Sequence, residues 1–315
     1  MKVLKYLDVF RALSYPELFS EECLDALKNI QDKYGHIDSH HVIYEINLND
    51  PARTLDFSFK FNEANFYYWY EFDYDFYAHS SSSLTGDIPH GYFIDQTALK
   101  LQLSELEENI CRVIGRKKFE ILREPLNNLE NFMLKRGLRV LYPGNLDHRG
   151  YSESVRTETR VRTCKNLIQL LKDLSYSGDI SLIEDTISKI EPYANGHTYL
   201  LSFDIFADRI SDKIGVAFFP FNSGKSVEDL TNFLTANNFC LHEKAQGLIN
   251  WVSNALPEGL LRQEINFIKI QFEKDKIVSV KAYLMQSYEF PIEYLLQFGV
   301  KNYLAKNGRP DLHNG

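Results

Sequence analysis

The chain has 315 residues, of which 44% are hydrophobic and 14% aromatic, and its formal net charge is −8 at pH 7. These values are those of an ordinary globular protein with a substantial core. The acidic balance argues against a general nucleic-acid-binding protein, which normally carries a basic excess. A local basic pocket stays possible, because net charge says little about one site.

The cysteines and the N-terminal segment indicate an intracellular protein. The four cysteines form no C-x-x-C pair, which argues against a disulfide framework or a zinc ribbon and favours a reducing cytoplasm. The first residues are too charged for a signal peptide. No apolar run approaches the roughly 18 residues that a membrane span needs. We therefore predict a cytoplasmic protein with neither a membrane nor a nucleic acid as partner.

Alternation of apolar and polar residues predicts four β-hairpins along the chain. Strand side chains alternate with period two, and turn-forming residues separate the two arms of each hairpin. A further short strand is predicted at 91–95. The predicted hairpins pair 41–48 with 54–61, 138–142 with 154–162, 198–207 with 213–220, and 264–273 with 276–285.

Helices are predicted between these hairpins from amphipathic or charged segments. Ser14 is a plausible N-cap of the first helix, with Pro16 near its first turn. The aromatic and acidic segment 62–77 is predicted as a helix packed on the sheet, although its alternation would also allow a strand. The predicted helices cover 14–33, 62–77, 99–135 with breaks at Gly115 and Pro125, 166–174, 180–190, 227–234, 248–256 and 289–306.

The repeated order of helix and hairpin predicts an α+β fold. Consecutive antiparallel hairpins with outer helices suggest one continuous sheet, and closing it into a barrel would remove its unpaired edges. We predict a closed antiparallel β-barrel of about ten strands ringed by α-helices, too wide for side chains alone to fill. It would form one domain over residues 1–305, followed by a disordered tail over 306–315.

The stretch V-R-T-E-T-R-V-R at 155–162 is the most informative strand. As a strand it puts Arg156, Glu158 and Arg160 on one face and β-branched residues on the other. Such alternating charges most often mark a solvated outer face. In a closed barrel, however, the face under the helices should be apolar, so that strand cations point inward. The inward candidates are Lys60, Arg156, Arg160, Lys213 and Lys281, together with Tyr283.

Several cations inside an aromatic barrel favour a ligand with a polyanionic end and an apolar or cationic end. An allylic diphosphate has this character, because its ionisation leaves pyrophosphate and an allyl cation that aromatic faces can shelter. Glu45, in the otherwise apolar V-I-Y-E-I, is the best candidate for the base that takes the acceptor's proton. Alternatively, Glu45 is an exposed residue of its strand, and each lysine lies at a solvated end of its hairpin.

Residues 138–161, L-R-V-L-Y-P-G-N-L-D-H-R-G-Y-S-E-S-V-R-T-E-T-R-V, resemble the central hairpin of the cyanobactin prenyltransferases. The similarity lies in the turn, in the Glu153-Ser154 pair and in the spaced basic residues. The segment S-F-D-I-F-A-D-R-I-S-D-K-I at 202–214 is also similar, as is Y-P-E-L-F at 15–19.

This resemblance implies the ABBA fold, in which antiparallel αββα units close around the substrate. It implies transfer of a dimethylallyl group from its diphosphate, the co-substrate, to a side chain of a peptide that is commonly macrocyclic. It further implies Mg²⁺ bound with the diphosphate. By position, Arg156 and Arg160 resemble basic positions of the family, and Glu45 resembles an acidic residue near the acceptor.

The chain departs from the family pattern in two places. It carries extra helical sequence over 101–135, and Glu158 stands between the arginines where a neutral or basic residue is expected. Glu158, with the acidic segment 71–75, would suit binding of a cationic acceptor such as a guanidinium; otherwise it orients the neighbouring arginines. The acceptor therefore stays open among Tyr, Trp, Ser/Thr and Arg.

Other patterns in the sequence are weaker. S-G-K-S at 223–226 has Phe219 where a P-loop requires its first glycine. The histidines at 36, 40 and 41 fit a loop better than a metal site, and we predict no metal held by the protein's own side chains. No D-D-x-x-D cluster supports an all-helical isoprenoid synthase. The remaining alternative to a prenyltransferase is a non-catalytic barrel that binds a lipid or a peptide.

Overall fold

The computed structural model describes residues 6–8, 10, 15–36, 39, 41–63, 66–72, 91–94, 107–138, 140, 144, 153–195, 198–220, 224–254 and 261–288. Its helices are α1 (Glu21–Tyr34), α2 (Glu107–Ile114), α3 (Arg116–Leu134), α4 (Cys164–Asp173), α5 (Ile180–Ile190), α6 (Val227–Ala236) and α7 (His242–Ser253). Its strands are β1 (His41–Asn47), β2 (Asp56–Glu63), β3 (Phe66–Phe72), β4 (Gly91–Ile94), β5 (Val155–Val161), β6 (Tyr199–Ile205), β7 (Ile210–Phe218), β8 (Leu261–Glu273) and β9 (Lys276–Tyr288).

The strands form one nine-stranded antiparallel sheet in the order β4-β3-β2-β1-β9-β8-β7-β6-β5. The predicted α+β class is confirmed, as are the hairpins β1–β2, β6–β7 and β8–β9. β1 pairs with β9, which joins the first hairpin to the last. Within the described ranges the edge strands β4 and β5 do not pair with each other, so a tenth strand and a closed barrel stay predictions.

The predicted hairpin before β5 is present only as a single bridge between Gly144 and Arg156. Leu138 and Val140, which were predicted in its first arm, lie outside any strand. Strand character requires a paired neighbour as well as alternation, and the described residues of this arm lack that neighbour. The remainder of the arm lies outside the described residues.

The prediction of a helix over 62–77 is wrong where the structure describes that segment. Phe66–Phe72 is strand β3, which pairs with β2 on one side and with β4 on the other. Aromatic side chains fit a pleated surface and make favourable cross-strand pairs, so pairing with β2 decided between helix and strand. Residues 73–77 lie outside the described part of the chain.

Other helix boundaries also differ from the prediction. The break at Gly115 is confirmed, with φ of 83° in the left-handed region that favours glycine. Pro125, in contrast, lies inside α3, where the buried stripe Leu122, Leu126 and Leu129 holds the helix on the core despite the lost backbone donor.

α1 begins at Glu21, later than the predicted start at Ser14, whereas α7 begins at His242, earlier than predicted. Pro16 lies in a turn instead of a first helical turn, because the amides of Leu18 and Phe19 both donate to the Tyr15 carbonyl at 3.0 Å. The predicted helix over 289–306 and the tail lie outside the described residues.

The helices pack on one face of the sheet, which we call the core face. Its strand residues include Tyr44, Phe203, Val216, Ile270 and Leu284, all buried in one apolar cluster with helix residues. The ring of Tyr44 lies 5.7 Å from that of Trp251 in α7. Burial of this face is the main apolar contribution to the stability of the fold.

Lys244 of α7 is completely buried beneath the β1–β2 connection. Its Nζ donates to the carbonyl oxygens of Asn47 and Ala52 at 2.5 and 2.6 Å. Burial lowers the pKa of this amine, an effect that Asp50 partly offsets. These bonds attach the helix to the connection.

We expect Lys244→Met to lower the free energy of unfolding by about 2 kcal/mol, because methionine keeps the apolar stem but donates to neither carbonyl. Urea denaturation measures the change. The control is Lys165→Met on the exposed side of α4, which should leave the midpoint nearly unchanged. Equal midpoints for the two variants would contradict the assigned role.

Candidate functional site

The face of the sheet opposite the core face carries a row of charged and polar side chains, which we call the polar face. The strand register establishes it: Glu45 is opposite Tyr283, Lys269 is opposite Lys281, and Glu158 is opposite Ser202. The residues of the polar face that concern us are Glu45, Arg156, Glu158, Arg160, Ser202, Asp204, Lys213, Gly215, Phe267, Lys269, Lys281 and Tyr283.

Several of these charged residues are buried, although the helices pack on the core face. Asp204 is 2% exposed, Lys269 is 6% exposed and Glu45 is 7% exposed. Burying an ionised group is costly unless an opposite charge or hydrogen bonds compensate. Each of these three residues has an ionic partner across the sheet.

The first ion pair joins two residues that the sequence singled out. Lys281 donates from Nζ to Oε1 of Glu45, and little of either side chain is exposed. Lys281 lies opposite Asn47, so Glu45 is its diagonal neighbour on the adjacent strand. Glu45, the candidate base, and Lys281, a candidate diphosphate ligand, are therefore bonded to each other.

The second ion pair fixes Arg156. Its guanidinium donates to both carboxylate oxygens of Asp204, its direct cross-strand partner, with Nη2 to Oδ2 at 3.0 Å. Such two-point contact sets the plane of the guanidinium. Asp204 thus orients one of the two arginines of β5.

The third ion pair spans strands that are not neighbours. Lys269 Nζ of β8 lies 3.3 Å from Glu158 Oε1 of β5, although β7 and β6 run between them. Side chains of a flat sheet stand roughly perpendicular to it and would not meet over about three strand spacings. The contact therefore indicates a curled sheet with the polar face on its inside.

Gly215 makes this third contact possible. A Cβ atom at this position would lie 2.4 Å from Cε of Lys269 and 2.6 Å from Oγ of Ser202. Both distances are shorter than atoms tolerate, so only glycine lets Lys269 lean across β7. Glu158 consequently bonds to Lys269.

Three aromatic rings lie beside these cations. Phe267 and Tyr283 are stacked with centroids 4.0 Å apart, and Phe219 meets Phe267 edge-on at 5.8 Å. Lys269 Nζ is 6.0 Å from the Tyr283 centroid, and Arg160 Cζ is 5.9 Å from that of Phe219. These distances are at the outer limit of cation–π attraction. Cations thus border a cluster of partly exposed aromatic rings.

The other predicted residues lie towards the margins of this arrangement. Lys213 is opposite Glu273 near the β8–β9 turn, and Arg160 is exposed. Lys60 of β2 is opposite Trp69 of β3, and the side chain of Lys60 is not among those that the structure describes.

Lys269, Asp204 and Phe267 were not predicted as site residues from the sequence. Lys269 stands in the strand segment F-I-K-I-Q, and the criterion that selected Lys281 in V-K-A-Y selects it equally. Asp204 carries no such signal, because its role depends on standing opposite Arg156.

Cysteine and metal chemistry find little support in the described residues. Burial raises the pKa of all four thiols, that of Cys240 to about 12, so none is a ready thiolate nucleophile. No group of three or more His, Cys, Asp or Glu in the described ranges could hold a metal ion. The carboxylates of the polar face are instead paired with cations. These residues therefore do not fit a Mg²⁺ ion held by the protein.

Comparison with protein-family models and with curated proteins returned no significant match. Among the helices that the structure describes, none is both long enough and apolar enough to cross a membrane.

Proposed function

We propose that the protein is a peptide prenyltransferase that transfers a dimethylallyl group from its diphosphate to a Tyr or Arg side chain of a peptide, commonly a macrocyclic one. The proposal includes closure of the sheet into an ABBA-type barrel. The observation that carries it is a row of cations beside stacked aromatic rings on the inside of a curled sheet, in which Lys269 is buried and Lys281 and Arg156 are partly buried.

The cations suit the diphosphate end of the donor. Lys269, Lys281 and Arg156 are held in place by carboxylates before any ligand arrives. Groups that are already oriented need little rearrangement when charge develops on a leaving group. Arg160 extends the row towards the exposed margin, where the diphosphate would enter.

The rings suit the other end of the donor. When the carbon–oxygen bond to the diphosphate breaks, the pair of electrons leaves with oxygen and a positive charge develops on the allyl group. The rings of Phe267, Tyr283 and Phe219 can stabilise that charge, and closure of the sheet into a barrel would limit access of water.

Glu45 is the group that we assign to the acceptor's proton. As the allyl carbon bonds to the acceptor atom, that atom loses a proton, which Glu45 accepts. Glu45 lies opposite Tyr283 and bonds to Lys281, so the base stands between the rings and a diphosphate ligand. Mg²⁺ bound with the diphosphate would offset part of the negative charge that develops on the leaving group.

The test compares Arg160→Ala with Arg162→Ala. Both side chains are exposed, so neither change should affect folding, but Arg160 lies beside Phe219 on the polar face and Arg162 follows the end of β5. We expect calorimetry to show at least tenfold weaker binding of dimethylallyl diphosphate by Arg160→Ala and less than twofold by Arg162→Ala.

Mass spectrometry of cyclic peptides containing Tyr, Trp, Ser or Arg then identifies the acceptor. Addition of a prenyl unit to Tyr peptides alone would exclude the guanidinium. Absence of binding by any C5 or C10 diphosphate would exclude the enzyme and leave a non-catalytic barrel.

A further inference from the structure

The β8–β9 hairpin carries three cross-strand residue pairs in a fixed order on the polar face. Because strand side chains alternate, pairs on one face follow each other at steps of about 7 Å along the hairpin. The order is therefore aromatic, then cationic, then neutral and polar. The pairs are Phe267 with Tyr283, Lys269 with Lys281, and Gln271 with Ser279.

The middle pair places two lysines directly opposite each other, an arrangement in which like charges repel. Each ammonium group lies towards a carboxylate on its own side of the hairpin. Lys269 contacts Glu158 of β5, and Lys281 contacts Glu45 of β1. The two cations therefore flank the middle of the hairpin, where both would attract an anion.

Gln271 adds a neutral hydrogen-bond donor beside the lysine pair. Its side chain is only 9% exposed, and its Oε1 accepts a hydrogen bond from the Ser279 hydroxyl, which orients the amide. Its Nε2 makes no hydrogen bond within the described part of the chain, yet this atom is not fully buried. Amide donors of largely buried side chains are nearly always paired, because an unpaired one is costly. A ligand oxygen over the hairpin would supply the acceptor.

We propose that the Gln271 amide is a further ligand of the diphosphate and that Ser279 is its positioning residue. The inference rests on the proposed function and gives the donor a direction along the hairpin. The diphosphate lies at the lysine pair with its terminal phosphate towards Gln271, and the dimethylallyl group lies at the aromatic pair. An amide suits this position because it donates a hydrogen bond without adding a third positive charge beside two lysines.

Gln271→Met tests the contact, because methionine keeps the size of the side chain but donates no hydrogen bond. Calorimetry on the full chain should show at least tenfold weaker binding of both dimethylallyl diphosphate and inorganic pyrophosphate, since the two ligands share the group that loses its donor. Gln271→Glu should bind both more weakly still, because a carboxylate would face the diphosphate.

The matched control is Gln286→Met. The Oε1 of Gln286 likewise accepts a hydrogen bond from a hydroxyl, that of Tyr44, and its Nε2 likewise lacks a partner among the described residues. Gln286 lies on the core face, however, opposite the buried Val42. We therefore expect its replacement to change the affinity for either ligand by less than twofold.

Ser279→Ala tests the positioning role. Loss of the hydroxyl frees the amide to rotate, so binding should weaken at least threefold. The double variant Gln271→Met with Ser279→Ala should bind no more weakly than Gln271→Met alone, because Ser279 acts only through the amide. Additive losses would contradict this role.

The remaining outcomes separate this inference from the proposed function. Absence of dimethylallyl diphosphate binding by the wild type would overturn both. Binding by the wild type with unchanged affinity in Gln271→Met would overturn the inference alone. So would a loss confined to dimethylallyl diphosphate, since that would place Gln271 beside the allyl group. Thermal denaturation monitors folding, and if Gln271→Met does not fold, wild-type affinity in Ser279→Ala would decide against the inference.

Discussion

Replacing Lys281 with methionine is expected to lower the free energy of unfolding by about 3 kcal/mol. Methionine matches much of the lysine stem, but Glu45, which is 7% exposed, loses the cation that bonds to its carboxylate. Removing one member of a buried ion pair is more damaging than removing both, because a buried charge is left behind. The double variant Glu45→Gln with Lys281→Met should therefore recover most of the loss.

Urea denaturation of the wild type, the two single variants and the double variant measures this coupling. Lys276→Met, at an exposed position of the same strand, serves as the control and should change stability by less than about 0.5 kcal/mol. Additive losses in the double variant would mean that the two residues do not interact.

The same variants test the chemistry that we assign to Glu45. Glu45→Gln keeps the shape of the side chain but accepts a proton far less readily, so turnover should fall while the affinity for dimethylallyl diphosphate stays nearly unchanged. A wild-type rate in Glu45→Gln would remove Glu45 from the role of base.

Gly215→Ala is expected to have the second large effect, at least a tenfold loss of affinity for dimethylallyl diphosphate. The new Cβ would lie 2.4 Å from Cε of Lys269, so the lysine must leave its position beside Glu158. Stability should fall as well, by about 1–3 kcal/mol, since added volume in a packed site forces neighbours to shift.

Lys269→Met distinguishes displacement of the lysine from general damage to the sheet. If Gly215 acts by making room for Lys269, the double variant Gly215→Ala with Lys269→Met should bind the diphosphate no more weakly than Lys269→Met alone. Losses that simply add would contradict this role, and a wild-type affinity in Gly215→Ala would exclude it.

Much of the secondary structure was predictable because its causes are local. Alternation with period two marks β1, β2 and β6 to β9, and Gly115 marks the boundary between α2 and α3. The segment of β3 was predicted wrongly, since its aromatic and acidic residues suit either a helix or a strand. Its pairing with β2 makes it a strand, and a short stretch of sequence does not reveal such pairing.

By itself the sequence determined that cations occupy one face of the strands and apolar residues the other, because alternation is a property of each strand alone. Only the tertiary structure decided which charges meet. Glu45 pairs with Lys281 because β1 lies beside β9, and Glu158 reaches Lys269 because the sheet curls over Gly215. These partners are separated by 236 and 111 residues along the chain. No local pattern specifies contacts over such separations, since they depend on strand order and curvature.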